Sequence, residues 1–166
     1  MTKSGFVLWV SIMGAAVAGC SHPTSSAPPT AAARAAGPLK PAATADDNAW
    51  RTYLSEMGKM HGKDVQGHPY IYLIPGGDSA AATAQRKEEV QSVAFAIGPI
   101  VISGSLLVMG GPDAQQTNQF AMTLSKTLKA HALQGTVVLI VGDATQEAAL
   151  TKAFEPTGAT LRVVTM

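Results

Sequence analysis

Three times in this chain a short apolar run ends at glycine, meets an aspartate and gives way to a helical pattern. The first unit is Tyr70-Ile71-Tyr72-Leu73-Ile74, then Pro75-Gly76-Gly77-Asp78, then an Ala-rich stretch reaching about Ile97. The second is Leu106-Leu107-Val108-Met109, Gly110-Gly111-Pro112-Asp113 and a helix to about Leu133. The third is Val137-Val138-Leu139-Ile140-Val141, Gly142-Asp143 and a helix to about Phe154. Thr160-Leu161-Arg162-Val163-Val164 supplies a last strand. The aspartates lie 35 and 30 residues apart, about the length of one strand-helix unit. The apolar runs are nearly continuous rather than alternating, as in parallel strands covered on both faces.

The helical segments carry one apolar stripe each. Phe120, Leu124 and Leu128 recur every fourth residue, as do Val90, Ala94 and Gly98 beside Val93 and Ile97. Gly135 and Gly158 stand where a left-handed residue ends a helix. Upstream, Asp46, Asp47 and Asn48 are N-cap candidates. Trp50, Tyr53, Leu54 and Met57 follow at helical spacing, and Gly58 or Gly62 can end that helix. Trp50 and Tyr53 read as its docking face. The expected fold is α/β, a small three-layer sandwich of about four mostly parallel strands with βα repeats and an additional N-terminal helix, occupying residues 46–166. Residues 98–105 (GPIVISGS) fit either an extra strand at Ile100-Val101-Ile102 or an irregular lead into the second strand.

In such a sheet the carboxyl ends of the strands share one edge, and ligands of open α/β folds bind there where strand order reverses. The candidate positions are Gly76, Gly77, Asp78 and Ser79; Gly110, Gly111 and Asp113; Gly142, Asp143 and Thr145. Glycine turns admit a ligand close to the backbone, and helix N-termini favour anions. The same residues also have a structural use. An aspartate at an N-cap accepts first-turn N–H groups and complements the helix dipole, each worth about 1 kcal/mol. Three such caps would occupy the donors a phosphate needs.

Gly77-Asp78-Ser79 resembles the nucleophile block of the GDSL/SGNH hydrolases, which implies Ser79 as nucleophile. A serine needs a base, which that family supplies from an Asp-x-x-His near the C-terminus. Here the last histidine, His131, falls in the helical stretch without an aspartate three residues earlier, and the Gly-x-Asn-Asp block is missing. His61-x-x-Asp64-x-x-x-His68 has metal-ligand types at usable spacing but no clear third or fourth ligand. The turns contain neither the P-loop nor the dinucleotide glycine pattern. No cofactor or metal is expected.

The N-terminus answers a different question. After Lys3, Gly5 to Cys20 is a run of 16 apolar and small residues, short of the ~20 needed to span a bilayer and closer to a removable signal. It ends in Val17-Ala18-Gly19-Cys20, which resembles the bacterial lipobox at all four positions. The resemblance implies cleavage after residue 19 and a lipidated Cys20. Ser21, rather than aspartate, implies the outer membrane facing the periplasm. Residues 21–45 contain Pro23, Pro28, Pro29, Pro38 and Pro41 among Ala, Ser and Thr. Such a segment has little to bury against the entropy of ordering. It reads as a disordered tether of 25 residues, spanning roughly 75–80 Å if polyproline-like. Cys20 is the only cysteine, so no disulfide is expected. Without Lys3, 11 basic side chains face 11 acidic ones, which gives no excess for nucleic acid. The expectation is a membrane-anchored envelope lipoprotein with a non-catalytic protein partner. The alternatives are a module binding a small ligand or cell-wall fragment at the strand edge, and a hydrolase using Ser79.

Overall fold

The computed structural model describes residues 37–166. Cys20, the leader and the first part of the expected tether lie outside them. Residues 37–45 hold no helix or strand, and Ala45 packs against the first helix's core cluster. The elements then run α1 (Asp47–His61), β1 (Pro69–Leu73), α2 (Ala80–Ala96), β2 (Leu106–Gly110), α3 (Ala114–Thr127), β3 (Val137–Gly142), α4 (Glu147–Phe154) and β4 (Thr160–Thr165). Short 3₁₀ turns at Ala144–Gln146 and Glu155–Thr157 flank α4. None of these helices is long and apolar enough to cross a membrane.

All four strands are parallel, in the order β1-β2-β3-β4. This is the α/β fold with βα repeats. β2 is buried end to end and β3 from Val138 onwards, and alternate residues serve opposite faces. Leu107, Met109, Val138 and Ile140 meet Val90 and Val93 of α2, Phe120 and Leu124 of α3, and Leu150 and Phe154 of α4. Leu106, Val108, Leu139 and Val141 meet Trp50, Tyr53, Leu54 and Met57 of α1. The layers are therefore unequal, three crossover helices on one face and α1 alone on the other. Crossovers of one hand that always step the same way deposit their helices on the same face. The opposite face would be bare without α1.

That topology corrects one expectation. Strand order never reverses, so the crevice expected at a reversal is not formed. The edge still gathers all three strand-helix turns, and α1 starts there on the other face.

Three local readings also change. The second crossover helix ends at Thr127, not near Leu133. Leu128 is already extended, and turns fill 130–135. The His131 and Leu133 N–H groups donate to Pro156 O and Thr157 O, both at 2.9 Å. These tertiary bonds replace helical ones and bring Leu133, fully buried, into the core. His131 thus sits in a turn with φ 62°, and Gly135, though left-handed at φ 75°, caps no helix. The first strand begins at Pro69 and ends at Leu73, while the Ile74 N–H still bonds Gly110 O at 2.8 Å. Residues 98–105 are irregular, with a single parallel bridge between Ile97 and Val101.

Candidate functional site

The edge at the strands' carboxyl ends is a set of interlocked turns. Asp113 caps α3, accepting from the Gln116 N–H at 2.8 Å. Asp143 accepts from the Thr145 N–H at 2.9 Å and hydroxyl at 2.7 Å, and these bonds hold its carboxyl below the usual range. Asp78 departs from the pattern. The cap of α2 is Ser79, whose hydroxyl oxygen accepts from the Ala82 N–H at 3.1 Å. Asp78 instead accepts from the Gln116 amide at 2.6 Å. The shift by one residue follows from Gly77, whose φ of 96° is open to glycine and strained for other residues.

Two residues absent from the sequence argument organise the first turn. Arg86 of α2 donates to Pro75 O at 3.1 Å, Gly77 O at 2.7 Å and the Gln116 side-chain oxygen at 3.2 Å. Gln116 of α3, buried, also donates to Gly77 O at 3.1 Å. Asn118, one turn from the same helix start, donates to Asp143 O at 2.9 Å. The amino end of α3 therefore clamps the turns on both sides of it. A buried polar group without a partner costs roughly 1–3 kcal/mol, so these side chains hold one arrangement against looser ones.

The remaining candidates serve packing. Gly110, Gly111 and Gly142 are buried. A Cβ on Gly111 would stand 2.2 Å from Ile74 O, and one on Gly142 would stand 2.4 Å from the Asn118 side-chain oxygen. These glycines let protein approach protein. Gly76 faces Pro112.

Two clefts flank the Pro75–Asp78 turn. One, of about 310 Å³, lies between α2 and α3 and is lined by Asp78, Thr83, Arg86, Lys87, Gln116 and Phe120. The other, of about 360 Å³, opens towards α1 and is lined by Asp47, Trp50, Arg51, Gly76, Gln85 and Glu89. Trp50 is 1% exposed, and its indole N–H has no acceptor among the described residues. Nearby, the Tyr72 hydroxyl donates to Glu89. Burial first, then that bond, pushes the Tyr72 phenol up.

The structure places the other sequence candidates elsewhere. His61, Asp64, His68 and His131 all lie towards the edge where strands begin, away from Ser79. Asp64 forms a two-point pair with Arg162 of β4, at 2.8 and 2.6 Å, and Arg162 also donates to His61 O. That bonding lowers the Asp64 pKa to about 2. Among the described residues no three His, Cys, Asp or Glu side chains converge as metal ligands.

No protein-family model matches the chain, and no curated protein or solved structure is significantly similar to it.

Proposed function

We propose that this protein is an envelope lipoprotein, fixed by lipid on Cys20 to the periplasmic side of the outer membrane, whose α/β domain acts as a non-catalytic interaction module. The observation that carries the anchor is the sequence Val17-Ala18-Gly19-Cys20 at the end of a short apolar leader. The non-catalytic role draws on the turn edge. There the Ser79 hydroxyl and the carboxylates of Asp113 and Asp143 accept first-turn N–H groups, and Arg86 holds backbone carbonyls. Side chains so engaged hold turns in place, leaving the domain's outer faces for contact with a protein of the envelope. Fractionation tests the anchor. Wild-type protein is expected in the membrane fraction, and the Cys20→Ser variant in the soluble fraction. A Cys20→Ser protein that stays with membranes would overturn the reading.

A second reading, a small cell-wall or sugar fragment bound beside the first turn, is favoured by Trp50, which lines the α1-side cleft and whose buried indole N–H has no acceptor among the described residues. Titrating purified protein with a muropeptide should then shift tryptophan emission, and Arg51→Ala should abolish the shift. An unchanged spectrum at saturating muropeptide would remove this reading.

A further inference from the structure

We infer that the domain rests on the bilayer through the edge where its strands begin, with Phe95, Ile100 and Ile102 in the lipid interface. The inference rests on the anchored-lipoprotein reading above. Phe95 is 83% exposed in the last turns of α2, and Ile100 and Ile102, each 55% exposed, follow in the irregular lead to β2. Scattered exposed apolar residues need no explanation, but a cluster marks an interaction surface. The lead is held at that edge, since Gly104 O accepts from the Gly67 N–H and the Gly104 N–H donates to Gly135 O.

Two further observations choose lipid as the occupant. The chain reaches the domain at the same edge. A Cβ on Gly37 would stand 3.5 Å from Met60 Cε, in the last turn of α1. That helix ends beside Leu106 at the start of β2, as the 2.4 Å between a Cβ on Gly62 and Leu106 Cδ2 shows. Leu39, two residues from Gly37, is 94% exposed. Sixteen residues, 21–36, separate Cys20 from Gly37, and a short tether raises the effective concentration of whatever surface it holds near. Charge is the second observation. Lys63, Lys126 and Lys129 belong to this edge and make none of the salt bridges among the described residues, and only Glu155 opposes them there unpaired. The opposite edge carries Asp46, Asp47, Asp78, Asp113, Asp143 and Glu147 against Arg51, Arg86 and Lys87. Apolar side chains that enter the interface beside lysines facing anionic headgroups are the means by which peripheral elements hold to membranes.

Protein made in unacylated form, starting at Cys20, carries one free thiol, so a maleimide lipid couples it to a vesicle at position 20 without cellular acylation. Amide hydrogen exchange is then compared on phosphatidylethanolamine/phosphatidylglycerol vesicles, on phosphatidylcholine vesicles, and in solution. On anionic vesicles, exchange at residues 98–104 should slow several-fold, with no change at 142–146. High salt or phosphatidylcholine should weaken the effect. The Ile100→Asp/Ile102→Asp variant should exchange at its solution rate there while the rest of the domain keeps wild-type protection. Equal exchange at 98–104 on anionic vesicles and in solution would overturn the inference, as would protection at 142–146 instead. Slowing that grows with protein concentration without lipid would assign this face to a second copy and also overturn it. Failure of the anchor itself reads out separately, as an unacylated Cys20 in protein recovered from cells.

Discussion

Gln116 shows how one side chain can fix a turn the backbone alone would leave loose. Its amide reaches Gly77 O and Asp78, and its oxygen receives Arg86. Gln116→Ala should cost about 0.5–1.5 kcal/mol, the net worth of an ordinary hydrogen bond, because Gly77 and Asp78 are exposed and Gly77 O keeps its bond from Arg86. Urea unfolding measures this, and a loss below a few tenths would refute the clamp. Ser79 predicts a similar effect. Ser79→Ala should cost about 1 kcal/mol, and Ser79→Asp should recover it, as expected for a cap. The caps at Asp113 and Asp143 could be read from the sequence because each directly precedes the first helical residue, whereas Ser79, an equally good cap, stands between Asp78 and α2. Gln116 was not singled out, yet a signal exists. Stepping back four residues from Phe120 along the stripe of Phe120 and Leu124 lands on Gln116, a polar residue on an apolar face. Such a residue must find partners within the fold, and the turns it faces supply them.

At the scale of elements, α1 carries one whole face of the sheet. Leu54 is fully buried among Trp50, Leu106, Val108 and Val141. Leu54→Ala should cost about 2–5 kcal/mol through lost transfer and the cavity left behind, seen as a lower urea midpoint with unchanged slope. Deleting a side chain of similar size from a surface position should cost little. The α1–β1 connection is also tied to β4 by the Asp64–Arg162 pair. The folded Asp64 pKa, about 2, lies below the ordinary carboxylate value. The pair's contribution is therefore complete above about pH 4 and is lost as pH falls towards 2. Asp64→Asn should remove that part of the acid dependence, so the urea midpoint of the variant should fall less than the wild type's between pH 5 and pH 2.5. An identical fall in both proteins would show that the pair does not matter. The stripes at Val90, Val93, Ile97, Phe120 and Leu124 were legible because 3.6-residue periodicity reports burial directly. The early end of α3 was not, because it depends on carbonyls at Pro156 and Thr157 that come close only once the chain has folded.

Over the whole molecule, strand patterning announced a parallel sheet but could not give its order. Uninterrupted apolar runs say that β2 and β3 are covered on both faces, not which neighbour each crossover reaches. The observed order places three helices on one side and makes the N-terminal helix the whole of the other. It also sets the two edges apart chemically. Capping acids collect where helices begin and lysines where they end, each complementing the helix dipoles. With the proposed lipid anchor at Cys20, a chain that enters the domain at the lysine-rich edge would bring that edge to the membrane and turn the capped edge outwards, free to meet a partner. This orientation depends on where the chain is fastened. Intact mass spectrometry of protein extracted from cell membranes tests that attachment most directly. The account predicts a chain that starts at Cys20 and carries the mass of a thioether diacylglycerol and an N-acyl group. A chain that retains residues upstream of Cys20, or begins there without acyl mass, would contradict it.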